Sequence, residues 1–293
     1  MSAARFSSSN TTAPENGIAS IALNNPSRRN ALSSSVLQSL RQQLENIKAN
    51  RNARVIIIKA LDDYSQHNGV FSSGHDLNEL RFNAEEEDEE SYRDRLRRLF
   101  SLCSSVMADI ASCPIPTIAQ VDGIATAAGC QLVASCDLAV ATSTSRFATP
   151  GVNIGLFCST PAVPLVRTVA KKHATEMLLT GDMISAQRAY EIGLINRVVG
   201  LRKEDGDNVD QIEQQILSKQ LDEEVQKLAL KIAGKSSSCI QTGLRTLYVQ
   251  QTCASLEDAY KLAEANMVEN LLDEDAAEGI DAFLGKRKPN WRK

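Results

Sequence analysis

Two stretches of the chain place small residues at a turn after a strand-like run, an arrangement that brings backbone close to a ligand. They are Val70-Phe71-Ser72-Ser73-Gly74-His75-Asp76-Leu77 and Asp122-Gly123-Ile124-Ala125-Thr126-Ala127-Ala128-Gly129-Cys130. Such turns expose N–H groups, and the second leads into a helix, whose N-terminus favours negative charge. Two N–H groups converging from separate turns form an oxyanion hole for a carbonyl oxygen that gains charge. The same residues also suit plain tight turns that let helices pack closely. His75 adds a side chain that titrates near neutral pH. Asp137, Asn153, Cys158 and Ser159 are further candidates in this part of the chain, and no activating base accompanies the thiol or hydroxyl.

The elements that must carry these turns are short. Ile18–Leu23 alternates like a strand, and Val36, Leu37, Leu40, Leu44 and Ile47 fall on one face of a helix over 33–48. Val55-Ile56-Ile57-Ile58 is a continuous apolar run of the kind buried on both faces of a sheet. Further strands are expected at 117–121, 138–142 and 195–199, about five in all, with helices between them. The acidic run Glu85–Glu90 reads as a mobile loop before a helix with basic first turns, and 147–155 reads as a loop. Helices are expected over 211–233, 238–250 and 256–272, followed by a tail from Asp275. The fold class is therefore α/β, and no internal sequence repeat is evident.

The chain has 293 residues, with 32 Lys+Arg against 36 Asp+Glu, a net charge of −4, and 43% hydrophobic residues. That composition supports a sizeable core. It lacks the clustered excess base of a nucleic-acid surface, and no apolar run reaches the ~18–20 residues that span a bilayer. Seven cysteines and three histidines show no metal-ligand spacing, so no metal is expected. This cysteine usage fits a reducing compartment. There is no GxGxxG, P-loop or GxSxG pattern.

Several motifs in order resemble the crotonase, or enoyl-CoA hydratase/isomerase, superfamily. Asn25-Pro26-Ser27-Arg28-Arg29-Asn30-Ala31-Leu32 is similar to its N-P-x-x-R-N-A-L motif, and Phe71–Leu77 to its F-[SA]-[SA]-G-x-D-[LI] loop. Gly129-Cys130-Gln131-Leu132 with Cys136-Asp137 resembles its G-G-G-x-E-L…C-D segment. Leu179-Thr180-Gly181 with Ser185-Ala186 resembles its L-T-G-x-x-[IL]-[ST]-A signature. The runs Ala125–Asp137 and Phe147–Ser159 look most like the subfamily of enoyl-CoA hydratase domain-containing protein 3.

The resemblance implies a spiral of ββα turns over 17–202 and a C-terminal helical region, 203–293, that drives assembly into a homotrimer or dimer of trimers. Residues 1–16 are expected to be a flexible N-terminus; being Ser-rich and free of acids before Glu15, they suit either the remnant of a transit peptide or a plain untethered terminus. A mitochondrial location is expected, or otherwise a cytoplasmic one. The implied ligand is a coenzyme A thioester, with no resident cofactor. The oxyanion hole falls on the backbone N–H groups of His75 and Ala128. Ser73, Asp76 and Leu77 would line the adenine pocket, Arg28 or Arg29 would meet the phosphates, and Lys286 or Lys288 would reach coenzyme A from the tail.

The sequence departs from the family at one functional point. Family hydratases use two glutamates, and Gln131 and Gly151 occupy their places here. An amide orients water but takes up no proton, and glycine does neither. The expectation is an acyl-CoA-binding protein of fatty-acid or acyl-CoA metabolism that lacks two-glutamate hydration. The alternatives are an isomerase, thioesterase or decarboxylase using the oxyanion hole with one other group, such as His75, and a trimeric interaction or regulatory protein.

Overall fold

A computed structural model describes residues 16–61, 69–200 and 210–292. The expected N-terminal segment and the expected boundary near 203 lie outside the described residues. Among them the strands are β1 (Ile18–Leu23), β2 (Val55–Ala60), β3 (Val70–Ser72), β4 (Thr117–Val121), β5 (Ile124–Thr126), β6 (Leu138–Thr142), β7 (Arg146–Ala148), β8 (Ile184–Ser185) and β9 (Arg197–Val199). The helices are α1 (Ser34–Lys48), α2 (Leu77–Leu80), α3 (Glu89–Ala111), α4 (Ala128–Ser135), α5 (Ser159–Thr168), α6 (Lys171–Thr180), α7 (Ala186–Glu191), α8 (Gln211–Ala233), α9 (Ser237–Gln250), α10 (Leu256–Leu271) and α11 (Glu274–Leu284).

The strands sort into two sheets, β1-β2-β4-β6-β9 and β3-β5-β7-β8. The first is parallel throughout, and in the second only β8 runs antiparallel. The chain passes from the first sheet to the second three times, at β2–β3, β4–β5 and β6–β7, and helices follow each of these passages before the chain returns to the first sheet. This is the expected ββα spiral, a repeat of structure without a repeat of sequence.

The five strands read from the sequence are the five of the first sheet. Its apolar run is buried on both faces, as expected. Val55, Ile57, Ile118 and Val140 meet Leu221, Val225 and Leu228 of α8 on one side, while Ile56, Ile58, Ala119 and Ala141 face the main core with Leu37, Leu40, Cys103 and Ile110. The strands β5 and β7 correct two regions read as a turn and a loop. Strands of three residues are too short to carry a readable alternation.

The acidic run is corrected in part. Asp88 accepts from the backbone N–H of Ser91 at 2.7 Å and caps α3, which places Glu89 and Glu90 in its first turn. Acids there are favoured by the helix dipole; Glu85–Asp88 precede the helix as expected, and only Glu89 and Glu90 belong to it. Glu87 is ion-paired to Arg95, whose guanidinium also donates to the carbonyls of Glu79 and Arg81. The expected tail from Asp275 is corrected too. Asp273 caps α11, and the buried Asp275 carboxylate accepts from Ser236 Oγ at 2.6 Å and from the N–H of Arg292 at 2.9 Å.

Candidate active site

The two motif turns meet. Leu32 N–H donates to Gly74 O at 2.7 Å, Ser73 N–H to Arg29 O at 3.1 Å, and Ser72 Oγ to Asn30 O at 2.9 Å. Asn30, buried and left-handed at φ 51°, donates from Nδ2 to Val70 O at 3.1 Å, while its Oδ1 accepts from the N–H of Asn25. Asn tolerates this backbone better than most residues. In the sequence Asn30 is one letter of a motif; in the fold it braces the turn that carries His75.

Glycine brings the second turn against the first. At Gly74, with φ +91°, a Cβ would stand 3.1 Å from the Ala128 nitrogen and 2.8 Å from Ala127 Cβ. At Gly129 it would stand 2.3 Å from Ser72 O. The N-terminus of α4 thus lies directly on β3 and the His75 turn. Ala127 enters α4 at φ 50°, ψ −119°, a conformation an L-residue adopts only under strain. The N–H groups of His75 and Ala128 donate to no protein acceptor among the described residues. Such paired donors, beside a helix N-terminus, suit a developing oxyanion.

The His75 side chain is held on two sides. Its Nδ1 lies 3.3 Å from Leu32 O, and its ring meets Phe100 edge-on at 5.3 Å between centroids. A carbonyl only accepts, so Nδ1 carries the proton and Nε2 presents a lone pair. Burial lowers the imidazole pKa, outweighing the Leu32 hydrogen bond and the Glu79 charge that raise it. The shift favours the neutral imidazole. Gln131, one turn beyond Ala128, is 3% exposed. Its Oε1 and His75 Nε2 are buried without partners among the described residues.

Gly151 lies in the 3₁₀ turn Pro150–Ile154. A Cβ there would stand 2.2 Å from Leu156 O and 2.8 Å from Cys158 Sγ, and Leu156 N–H returns to Gly151 O at 2.9 Å. Backbone fills the space in which a side chain at 151 would begin. Burial raises the thiol pKa of Cys158, and that of Cys130 to about 12. Both stay protonated at neutral pH and are poor nucleophiles.

The remaining expected residues are spread around this centre. Arg28 pairs with Asp76 at 3.5 Å, and Asp76 caps α2 by accepting from the N–H of Asn78 at 3.0 Å. Ser73 is half-buried in the turn, while Arg29 and Leu77 are exposed. Lys286, exposed at φ 54°, follows α11 and belongs to the C-terminal helices, not to these turns. Ser34 and Glu79 also tie the first turn to α1, the Glu79 carboxylate accepting from Ser34 N–H and Oγ at 2.9 Å.

Asp137 lies beyond the opposite end of α4. Its Oδ2 accepts from Thr117 N–H at 2.7 Å and Thr117 Oγ1 at 2.8 Å, which ties the start of β4 to the entry of β6. Burial outweighs these bonds and raises its pKa from 3.8 to about 6. Between those values the folded chain holds a proton that the unfolded chain has lost, so stability falls as pH rises from about 4 to 6. Asp137→Asn removes that loss. Relative to wild type it should gain up to about 2–3 kcal/mol above pH 6, shrinking towards pH 4. Urea unfolding of both proteins from pH 4 to 7 checks this; a difference independent of pH would contradict the buried-carboxylate account.

Strands that alternate between two sheets, with a helix N-terminus seated on a glycine turn, define a protein of the crotonase class. The profile of the family described as enoyl-CoA hydratase/isomerase matches residues 13–293, and the chain belongs to that family. It is similar to enoyl-CoA hydratase domain-containing protein 3, mitochondrial, of Rattus norvegicus, at 47% identity over 281 residues, covering 96% of this chain and 83% of that one. The protein of the same name from Homo sapiens is 46% identical over 275 residues, covering 94% and 80%. The crystal structure of that human protein superposes with a TM-score of 0.81 at 45% identity, covering 95% of this chain and 98% of the other. An enoyl-CoA hydratase from Mycobacterium smegmatis superposes with a TM-score of 0.81 at 40% identity, covering 96% and 97%. The rat, mouse, frog, human and zebrafish relatives are all described as mitochondrial, in line with the expected location.

Proposed function

We propose that this chain binds an acyl-CoA thioester and holds its carbonyl oxygen between the N–H groups of His75 and Ala128, without two-glutamate hydration. The observation that carries this reading is the contact between the two glycine turns, which leaves both N–H groups without protein acceptors. Gln131 stands where the first family glutamate would orient water, and Gly151 where the second would. Each acid–base group is worth about 10²–10⁴-fold, so hydration lacking both falls far below the ordinary enzyme range.

On this reading Arg28 or Arg29 meets the nucleotide phosphates, while Ser73, Asp76 and Leu77 border the adenine. Lys286 approaches from the C-terminal helices. Assembly into a trimer is part of the same proposal. It is supported by the exposed apolar side chains of α10, α11 and their ends: Leu256, Tyr260, Leu272, Phe283 and Leu284 are each more than 60% exposed. A role in acyl-CoA or fatty-acid metabolism follows from the ligand.

The test pairs calorimetry with an assay. Butyryl-CoA is expected to bind, and crotonyl-CoA to be hydrated at least 10⁴-fold below the ~10 s⁻¹ typical of enzymes. No heat at millimolar ligand would end the binding reading, and ordinary turnover would end the non-hydratase one. The bare Nε2 of His75 favours a second reading, in which it serves as the single base of an isomerase, thioesterase or decarboxylase. An acyl-CoA panel would reveal such activity, and His75→Ala must abolish it.

A further inference from the structure

The helices α9, α10 and α11 pack on one another, and among the described residues none of them makes a broad contact with α8 or with either sheet. Their burial agrees: α9 and α10 contain no buried residue, and α11 only Asp275 and Ala282. Where the first turn of α9 faces the core, across Arg54, Pro114 and Pro116, a narrow cleft lies between the two sides. A unit with so little apolar burial against its neighbour moves about its junction at small cost. The junction here is residues 234–236, between α8 and α9.

Polar bonds from the segment after α11 supply what packing does not. Trp291 Nε1–H donates to Gly234 O, at the end of α8, at 2.9 Å. Its ring lies on Gly279 of α11, where a Cβ would stand 3.2 Å from it. Arg292 N–H donates to Asp275 Oδ1 at 2.9 Å, and its guanidinium to Asp273 Oδ1 at 2.7 Å. The other oxygen of Asp275 accepts from Ser236 Oγ at 2.6 Å, and Ser236 caps α9. On the core side Arg54, at the entry of β2, donates to Arg292 O at 3.3 Å. Arg287 fastens the same segment to α11 by a two-pronged pair with Glu278, at 2.6 and 2.7 Å. Two neighbouring residues thus bond to the end of α8, the start of α11 and the core, and through Asp275 to the start of α9.

We propose that Trp291 and Arg292 are positioning residues for assembly. They fix the angle at which α9, α10 and α11 stand from the core, and only at that angle do the apolar side chains of α10 and α11 meet a second copy of this chain. This rests on the trimer reading, in which the exposed Leu272, Phe283 and Leu284 are covered by another protomer. Freedom about residues 234–236 would have to be given up on assembly. The strap has removed it beforehand.

Sedimentation of the full chain over a concentration series tests this with wild type, Trp291→Ala, Arg292→Gln and Arg292→Lys. Wild type should be trimeric. Trp291→Ala and Arg292→Gln should each raise the concentration of half-assembly about tenfold or more, the usual scale for losing a hydrogen bond to a charged or buried partner. Arg292→Lys keeps the charge facing Asp273 and should recover most of the difference. Hydrogen exchange at concentrations where every protein is monomeric gives a second readout. Amides around residues 234–236 should exchange faster in Trp291→Ala and Arg292→Gln, while β2, β4 and α8 exchange as in wild type. Faster exchange throughout β2 and β4 in both variants would show a merely stabilising strap and overturn the proposal. Trimers of wild-type strength in both would overturn it and leave the trimer reading standing. A wild type that stays monomeric would overturn both.

Discussion

Gly151→Ala is expected to destabilise the fold by about 1–3 kcal/mol, the usual cost of forcing a methyl group into packed surroundings. The added carbon would stand 2.2 Å from Leu156 O, well inside contact distance, with Cys158 Sγ at 2.8 Å on its flank. The carbonyl cannot swing aside freely, because Leu156 N–H is bonded back to Gly151 O at 2.9 Å and closes the turn. Relief therefore requires the 3₁₀ turn and the start of α5 to move together. Gly243 is the contrast: it lies in α9, is exposed, and has nothing within 4 Å of an added Cβ. Gly243→Ala should gain up to about 1 kcal/mol, since glycine is a poor helix former. Urea unfolding of the three proteins measures both effects. Gly151→Ala as stable as wild type would mean the turn yields and the packing argument is wrong.

The same closure at 151 bears on the double variant Gln131→Glu with Gly151→Glu. Restoring two acid–base groups at about 10²–10⁴-fold each would raise hydration by about 10⁴–10⁸-fold if both were seated as a hydratase needs them. The expectation here is a gain below tenfold. Position 131 accepts a carboxylate of nearly the same shape as the amide, although its burial at 3% exposure pushes such a group towards its neutral form. Position 151 does not accept it. The side chain must leave the backbone along the line Leu156 O occupies, so the carboxylate goes elsewhere or the turn opens. Crotonyl-CoA hydration by wild type, Gln131→Glu and the double variant decides the matter. A gain above about 100-fold in the double variant would show that the turn rearranges readily and that only the two side chains were missing.

How much was legible in the sequence depended on the kind of signal each element carries. The first sheet was readable because its strands carry a pattern of their own, an alternation in Ile18–Leu23 and a continuous apolar run buried on both faces in Val55–Ile58. The second sheet was not. Ile124–Thr126 and Arg146–Ala148 are too short for a period, and they are strands because β3 and each other supply their hydrogen bonds. The acidic run is exposed and mostly precedes the helix, as its charge suggests; the bound of α3 at Glu89 is set by the Asp88 cap and the helix dipole, which a count of charges does not show. The start of α11 misled: the Asp275 carboxylate is satisfied by Ser236 and Arg292, thirty-nine residues before it and seventeen after it.

The sequence by itself determined the family through motifs in order, the presence of His75 and Ala128 on two small-residue turns, and the absence of carboxylates at 131 and 151. These are matters of residue identity, written in the chain. The tertiary structure alone decided that the turns touch, that Nδ1 and not Nε2 of His75 carries the proton, and that 151 is closed to any side chain. Each of these depends on where a distant carbonyl comes to rest: Ser72 O against Gly129, Leu32 O against His75, Leu156 O against Gly151. A carbonyl oxygen is common to every residue, so its position leaves no mark on the sequence until the backbone is folded.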